Sequence, residues 1–594
     1  MHTKVIKYSI LLMLLVALPS GNSALQAAAL PPLHRVNAPW FSGQVQIEQS
    51  AIFWLGKVTA NENYADVRVG YNNTELYVGL LIFDRRFWYD ETPSAADLIN
   101  YDAVTLYLDK DGNSGSAPDT NSYRLVGQLN NGEPRSDWQA AWRGSGTQWN
   151  SASVAFTTAI DSAWENGNVG GFNNNQDNRG WFIEYRIPFS SLGLSGPPTQ
   201  GTLWGLGVAI HDRDTSTGPL SPLKTWPESL NDTQPGTWGQ LRFGIPAYVP
   251  TPSVASGSTL IRQGLNGVTV PDAAVGGTIG NDCKVDPAGY IWNGWADFSD
   301  PHNMQVNVQN QRTIADWPCF AKYFINFPLG TVPAGKVIIS ATLTLHHFGN
   351  PGIGWGDPLE PSYLQILTVG QWNQDTLTWN TAPLARENVS AAWVAPLDDY
   401  GGDPGVPRTW DVSRAVAEAY AAGEPLNLVV YSADWPLHSG RYFWSSDHDD
   451  INPEARPTLK VYWGDMAGKV KKTAQPAAVQ QGQSVTYRLS VVGSGRTLTL
   501  TDNLPAAVSA PGTIGVVGGG TAVYQSGNHR VVWTGSIAAG QVATITFPVT
   551  VTAALPLAIV NQVLLIDPVL GSSTAQAVVI ANGQSIFLPI VLRQ

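Results

Sequence analysis

The segment Asp109-Lys110-Asp111-Gly112-Asn113 has the residue types and spacing of a metal-binding turn. Oxygen-bearing side chains that alternate before a glycine suit calcium, so Asp109, Asp111 and Asn113 are the predicted ligands. The segment is not an EF-hand, because its glycine comes too early and Thr120 stands where the bidentate glutamate belongs. A plain turn rich in Asp, Asn and Gly remains the alternative. No other cofactor is predicted.

The 23 tryptophans are the second set of residues that could serve a function. Sugar rings present flat C–H faces that stack on aromatic rings, and nearby polar side chains then bind the hydroxyls. Trp181 and Trp204 lie on alternating apolar segments and are expected to fill a core. Sugar binding and core packing stay equally open for five tryptophans among polar and turn residues: Trp88, Trp138, Trp142, Trp149 and Trp226.

Catalytic motifs are scarce in this sequence. It contains no HExxH, GxSxG or GxxxxGK[ST] pattern, which disfavours zinc-protease, serine-hydrolase and P-loop chemistry. Glycoside hydrolysis needs only two carboxylates, and spacing in the sequence does not exclude it. With 34 basic and 46 acidic residues, the net charge of −12 argues against nucleic-acid binding.

The amino terminus indicates export. Lys4 and Lys7 precede a short apolar run that ends at Pro19, and small residues follow as far as Ala29. This order predicts a secretory signal peptide over residues 1–29 and a mature chain with no transmembrane helix. In an oxidising compartment the only two cysteines, Cys283 and Cys319, are expected to form a disulfide, with two free buried thiols as the alternative.

The elements that must position these residues are mostly strands. A length of 594 residues predicts several domains with separate cores. Apolar residues alternate along 181–189, 337–345 and 485–491, Asn72-Asn73 predicts a hairpin turn, and only 414–422 has a helical pattern, with Gly423 as its stop. The predicted fold class is all-β: three tandem antiparallel β-sandwich or jelly-roll domains after a signal peptide.

Shifts in composition place the boundaries. A proline- and serine-rich stretch over 247–257 predicts a linker between domains at 36–246 and 258–464. A third domain is predicted at 465–580, where aromatic and charged residues become scarce, and a short tail at 581–594.

The first domain resembles the family-9 carbohydrate-binding modules. The motifs that carry the resemblance are Tyr101–Asp109, Tyr123-Arg124, Ile183–Phe189 and Thr237–Leu241, in the family's order. The resemblance implies a β-sandwich that holds sugar between two aromatic rings. By position these rings are Trp226 and Trp88, with Tyr89 as the alternative to Trp88, and Arg124 takes the place of a ligand-binding arginine.

The other two domains carry resemblances of their own. The second resembles the DNRLRE domains, some of which are classed as carbohydrate-binding module family 96, through pieces such as Lys322–Phe327, Thr378–Pro383 and Trp410–Ser413. The third resembles the Ig-like conserved repeat domain of bacterial surface proteins, through Gln481–Tyr487 and Thr501–Pro505.

Taken together, these features predict a secreted, monomeric, non-catalytic protein that binds a polysaccharide or oligosaccharide. The expected mechanism is stacking on Trp88 and Trp226, with Arg124 orienting hydroxyls. Two alternatives remain: an O-glycosyl hydrolase or lyase of carbohydrate catabolism, and a structural cell-surface or adhesion protein.

Overall fold

The computed structural model describes residues 34–112, 115–131, 135–165, 170–250, 254–277, 291–292, 294–311, 314–353, 359–465 and 467–583. The predicted signal peptide, Cys283, Asn113 and most of the predicted tail lie outside these ranges. The described part is an all-β protein with one α-helix, as the sequence predicts. None of the described helices has the length and apolar character of a membrane-crossing segment.

The first part contributes thirteen strands: β1 Arg35–Ala38, β2 Ala51–Thr59, β3 Glu62–Tyr71, β4 Glu75–Phe83, β5 Ala103–Asp109, β6 Ser122–Gln128, β7 Gln139–Gly144, β8 Trp149–Ser151, β9 Thr157–Glu165, β10 Asn178–Pro188, β11 Leu203–His211, β12 Lys224–Trp226 and β13 Gly239–Phe243. The β3–β4 hairpin confirms the turn at Asn72-Asn73. The turn is closed by the Asn72 side chain, which accepts hydrogen bonds from the backbone N–H groups of Thr74 and Glu75.

The second part contains β14 Gly257–Arg262, β15 Asp272–Gly276, β16 Gln305–Val308, β17 Ala321–Phe327, β18 Lys336–Gly349, β19 Ser362–Val369, β20 Ala385–Val394, β21 Val406–Asp411, α1 Ser413–Ala422, β22 Leu426–Ser432, β23 Arg441–Trp444 and β24 Thr458–Asp465. The helix confirms its prediction, and Gly423 ends it with a left-handed φ of 70°.

The third part contains β25 Lys469–Gln475, β26 Ala478–Val479, β27 Ser484–Val492, β28 Thr497–Asn503, β29 Gly515–Val517, β30 Thr521–Gln525, β31 Arg530–Ser536, β32 Val542–Thr550, β33 Leu557–Asp567 and β34 Gly571–Ala581. Its two sheets, β25-β27-β32-β29 and β26-β34-β33-β28-β31-β30, form a sandwich around a core of its own. The alternation over 485–491 is confirmed, since all four apolar residues on that face are buried.

Strand β1 joins the first two parts into one sheet. Arg35 pairs in parallel with Gln240 of β13 on one side and with Glu387 of β20 on the other. The resulting sheet runs β15-β17-β22-β19-β20-β1-β13-β11-β5-β6-β7-β8, with β12 attached to β11. The expectation of purely antiparallel pairing is therefore wrong at β1.

The five-stranded sheet β2-β3-β4-β10-β9 packs against both halves of this large sheet. On β10, the Tyr185 hydroxyl donates to the Val104 carbonyl of β5, while the neighbouring Phe182 ring lies 5.3 Å from Trp435 of the second part. Sequence alternation predicts a half-buried strand here, but Trp181–Ile183 are all fully buried. A sheet covered on both faces needs apolar residues at successive positions. The expectation of separate cores is accordingly wrong for the first two parts, which share one hydrophobic cluster.

The second part also has a core on the far side of the large sheet, against the sheet β14-β24-β18-β23-β16 with β21 attached to β18. On β18, Ala341, Leu343 and Leu345 face this core as predicted. Val337 and Ile339 do not, because the register with β24 shifts between Ile338 and Ser340. A bulge of this kind reverses the face on which the residues beyond it lie.

Candidate functional site

Trp226 is a core residue, which corrects its prediction as a sugar-stacking ring. Its side chain has no exposed surface, and its ring centroid lies 4.1 Å from that of Phe53. A Cβ at Gly239 would lie 2.5 Å from the Trp226 ring, so the backbone of β13 closes on the indole. The short strand β12 thus turns Trp226 into the sandwich, and no face of the ring is free for a ligand.

Trp88 is also enclosed, with 8% of its surface exposed and its indole N–H buried without a partner. Its backbone holds a carboxylate, because the Trp88 N–H donates to Asp102 Oδ2 at 2.5 Å. The pair Trp88 and Trp226 therefore does not form the predicted aromatic slot. The sequence motifs identified the segments that resemble the family, but they did not show the direction in which each aromatic side chain points.

Arg124 lies on the outer face of the large sheet. It pairs with Tyr107 of β5 and with Trp142 of β7, and its guanidinium lies 4.8 Å from the centre of the half-buried Trp142 ring. Its neighbours on β6, Tyr123 and Leu125, face the opposite way into the core. The alternation of β6 therefore presents the arginine to the surface as an arginine-over-tryptophan contact.

The charge of Arg124 is not neutralised by an acid. Among the described residues no carboxylate forms an ion pair with it, and its Nε is buried without a hydrogen-bond partner. Burial, and after it the Arg124 charge, together lower the pKa of nearby His211 to about 4. His211 is thus neutral at physiological pH, and one ring nitrogen is engaged by the Thr105 hydroxyl at 2.9 Å. The face combines a cation with unused donors, a neutral imidazole and an aromatic ring.

Trp138, Trp142 and Trp149, for which sugar binding and core packing were both open, are half-buried. Trp149 and Trp238 stack with their centroids 6.3 Å apart beside Tyr107, and Trp138 donates to the Asp90 carbonyl. Trp181 and Trp204 are core residues, as predicted.

Sequence reasoning missed Trp40, which is 50% exposed. It borders a cleft of about 450 Å³ with Tyr71, Pro197 and Gln200. Its place between a proline and a turn was the available signal, because such residues seldom lie within a buried strand.

A cluster of three buried aspartates is the strongest cation-type arrangement among the described residues. Ligand oxygens of Asp84, Asp102 and Asp212 lie within 4.8 Å of one another, and all three side chains are buried. Asp84 accepts from the Arg86 N–H and the Trp181 indole, and Asp102 accepts from the Trp88 and Arg213 N–H groups.

Asp212 differs from the other two because both of its oxygens are buried without a hydrogen-bond partner. Burial raises its pKa to about 7, with a contribution from Asp214, although Ser221 and Asn63 lie close enough to oppose the rise. Burial and the neighbouring aspartates also raise the pKa values of Asp84 and Asp102. Oriented carboxylates with free lone pairs are the ligands that calcium prefers. Sequence spacing could not reveal the cluster, because three separate segments supply it.

The predicted calcium turn is arranged differently from its sequence expectation. Asp109 and Asp111 converge with Asp119, while Asn113 lies outside the described residues. Burial and the adjacent Asp111 raise the pKa of Asp109 to about 7. Calcium at this turn stays a prediction.

The stability of the first two parts is expected to depend on calcium in a pH-dependent way. All three buried aspartates have a folded pKa above the unfolded value, and the contribution of Asp212 to the free energy of unfolding is full below about pH 4 and is lost as pH rises through its folded pKa of about 7. Saturating calcium should restore about 3 kcal/mol at pH 8 and little at pH 5.

Calorimetric melting with calcium or with a chelator checks this expectation. Asp102→Asn should abolish the calcium response, whereas Asp111→Asn, at the exposed end of the other cluster, should preserve it. The reverse pattern would place the ion at the turn, and equal melting temperatures with calcium and chelator at pH 8 would remove both sites.

Cys319 is half-buried and disulfide-bonded in the structure. Its predicted partner, Cys283, lies outside the described residues, so the pairing stays a prediction.

Comparison with known proteins gives the following similarities. No family model and no curated protein matches this chain. Among solved structures, a carbohydrate-binding module of family 9 from Caldicellulosiruptor kristjanssonii in complex with cellotriose is 15% identical, and the match covers 36% of this chain and 95% of that one with a TM-score of 0.26. The major pilin subunit BcpA of Bacillus cereus is 8% identical, covering 41% and 69% with a TM-score of 0.18. The C-terminal domain of the Streptococcus pyogenes protein AspA is 11% identical, covering 43% and 92% with a TM-score of 0.17.

Proposed function

We propose that this chain is a secreted, non-catalytic carbohydrate-binding protein, and that its sugar site is the outer sheet face around Arg124 and Trp142. The observation that carries the proposal is the guanidinium of Arg124, which lies over a half-buried tryptophan and has no carboxylate partner within the part of the chain that the structure describes. Guanidinium N–H groups are donors in fixed directions, and they suit the hydroxyl or carboxylate oxygens of a sugar. Trp142 and Tyr107 supply aromatic surface beside them.

The buried aspartate cluster is not placed for glycoside hydrolysis. Asp84 and Asp102, whose pKa values are raised well above the usual range, have no exposed surface. They therefore cannot reach a glycosidic bond, which must lie between two carboxyl groups during hydrolysis. A reducing-sugar assay on the same polysaccharides should show no steady release of product, and release abolished by one carboxylate substitution would establish an enzyme.

Arg124→Ala is expected to weaken glycan binding at least tenfold, because one charge-assisted hydrogen bond contributes about 1.5–3 kcal/mol. Trp142→Ala should weaken it similarly. A glycan array of neutral and uronic-acid polysaccharides identifies the ligand, and calorimetric titration with that ligand then measures the change.

The matched control is Arg143→Ala, because this exposed neighbour on β7 lies over Tyr123 instead of Trp142 and should leave affinity unchanged. Unchanged affinity in Arg124→Ala, with a loss in Trp40→Ala, would move the site to the Trp40 cleft. Firm retention on cells with no glycan bound would favour the adhesion alternative.

A further inference from the structure

Three polar side chains are enclosed in the core of the third part. They are Lys472 on β25, Asp502 on β28 and Asn561 on β33. The side chains of Lys472 and Asp502 have no exposed surface, and Asn561 is fully buried. Most other buried residues of the third part are apolar, with Ser494 and Asp567 as further polar exceptions. Lysine and aspartate are seldom fully buried in such surroundings, so their place in the sandwich needs a specific explanation.

The three groups come from both sheets of the sandwich. Lys472 Nζ donates to Asp502 Oδ2 at 2.5 Å across the space between the sheets. Asp502 pairs with Val563 on the adjacent strand, two residues from Asn561, so Asp502 and Asn561 share one face of their sheet. Burial raises the pKa of Asp502, and Lys472 and the Asn561 amide oppose that rise, which places the amide beside the ion pair.

The Asn561 amide is close to these groups but poorly bonded. Neither its Oδ1 nor its Nδ2 makes a hydrogen bond of good geometry, and Asp502 Oδ1 also has no partner. A buried asparagine normally satisfies several of its four hydrogen-bonding positions. A buried amide without hydrogen bonds, next to a lysine and a carboxyl group, destabilises the folded protein if it stays in that state. The same arrangement places an amine, an amide and an acid together as the reactants of an amide exchange.

The surroundings favour the neutral forms of the pair. Burial lowers the pKa of Lys472 to about 8, although Asp502 acts in the opposite direction, and burial raises the pKa of Asp502. The Tyr487 ring lies 4.7 Å from Lys472 Nζ and completes the dry enclosure. A neutral amine is a nucleophile, and a protonated carboxyl group is a proton donor.

We propose that Lys472 and Asn561 join through an intramolecular amide bond, and that Asp502 promotes its formation. The lone pair of Lys472 Nζ attacks Cγ of Asn561, the protonated Asp502 gives its proton to Nδ2, and the carboxylate so formed takes a proton from Nζ. The bond from Cγ to Nδ2 breaks and ammonia leaves. Amine plus amide thus gives amide plus ammonia, with no oxidant or co-reactant.

The bond would tie the two sheets of the third part together. Lys472 lies on the first strand of the four-stranded sheet and Asn561 on the penultimate strand of the chain, so the link encloses most of the sandwich. Such a link restricts the unfolded chain in the way a disulfide does, but reducing agents do not break it. If the chain is secreted as proposed, such a link would help the third part to stay folded outside the cell.

Mass spectrometry of the full chain tests the proposal. The intact mass should be lower than the sequence mass, corrected for leader and disulfide, by one ammonia molecule. Digestion should yield a branched peptide in which the Lys472 side chain is joined to that of Asn561. Unmodified Lys472 and Asn561 peptides would overturn the proposal, and a link from Lys472 to Asp502 with loss of water would overturn the choice of Asn561.

Variants assign the roles of the three residues. Asn561→Ala and Asp502→Asn should keep the ammonia mass, the second because it preserves size but removes the acid. Lys471→Ala is the matched control, since this exposed neighbour on β25 should leave the link intact. A folded Asp502→Asn chain that still loses ammonia would overturn the role of Asp502. Should a variant fail to fold, the branched peptide of the unaltered chain still decides the proposal.

Discussion

Below about pH 7, where Lys322 is protonated in the folded protein, Asp66→Asn is expected to lower the free energy of unfolding of the joined first and second parts by about 3 kcal/mol, because it leaves a buried lysine without its counter-charge. Lys322 of the second part has no exposed surface and lies among four aromatic rings. Its Nζ is 3.8 Å from the centre of the Trp379 ring and 4.1 Å from that of Trp54, and it donates to the Tyr64 hydroxyl at 2.6 Å.

Asp66 holds this arrangement together from the first part. Its two carboxylate oxygens accept from the hydroxyls of Tyr64 at 2.6 Å and Tyr431 at 2.7 Å. One aspartate thus orients a ring from each part around the cation of Lys322. Removing its charge affects the shared core where the two sandwiches meet.

Calorimetric melting of the full chain measures the effect, and the third part, with its separate core, serves as internal reference. The double variant Asp66→Asn with Lys322→Met should recover most of the loss, because an apolar residue suits an aromatic enclosure without a counter-charge. Glu62→Gln is the control on the same strand, since its ion pair with Lys224 is partly exposed, with 32% of the Glu62 side chain accessible, and lies apart from the Lys322 enclosure. The explanation would be contradicted if the double variant lost as much stability as the two single substitutions lose together.

The same enclosure gives a pH dependence with a definite sign. Burial lowers the pKa of Lys322 from 10.5 to about 7, although Asp66 opposes this. Between these values the unfolded chain binds a proton that the folded chain has released, so stability increases with pH. The contribution of Lys322 is full above about pH 10.5 and is lost as pH falls to about 7, and Lys322→Met should remove this slope.

The strands were predictable from the sequence because alternation is a local property. Alternation along β27 and the helix pattern before Gly423 each gave the right element. Alternation does not show what covers the second face of a strand. Phe182 lies between Trp181 and Ile183 and reads as the outer residue of a half-buried strand, yet the second part covers it.

The candidate site was predictable only in part, for a related reason. Arg124, which the resemblance put in the place of a ligand-binding arginine, lies on the outer sheet face as the one residue of β6 that is not buried, and its role in binding stays a prediction. Trp226 lies on a strand of three residues, too short for a period to show its direction. The aspartate cluster and the group Lys472, Asp502 and Asn561 depend on contacts between distant segments, which spacing does not encode.

Trp226→Ala is the sharpest test of the corrected site, with an expected loss of about 3–5 kcal/mol in the stability of the joined first and second parts. The ring fills the space between Phe53 and the backbone of β13, and the surrounding strands cannot collapse into the cavity without breaking sheet hydrogen bonds. Trp142→Ala should cost much less, because that ring is only half-buried. Urea unfolding followed by circular dichroism measures both.

Gly239→Ala tests the same contact from the opposite side. The added methyl group would lie 2.5 Å from the Trp226 ring, and overpacking of this kind costs about 1–3 kcal/mol. In the Trp226→Ala background the methyl group enters an empty space, so the two substitutions together should destabilise less than their sum. Strict additivity would show that Gly239 and Trp226 are not in contact. A Trp226→Ala chain that is fully stable but no longer binds glycan would return Trp226 to the sugar site.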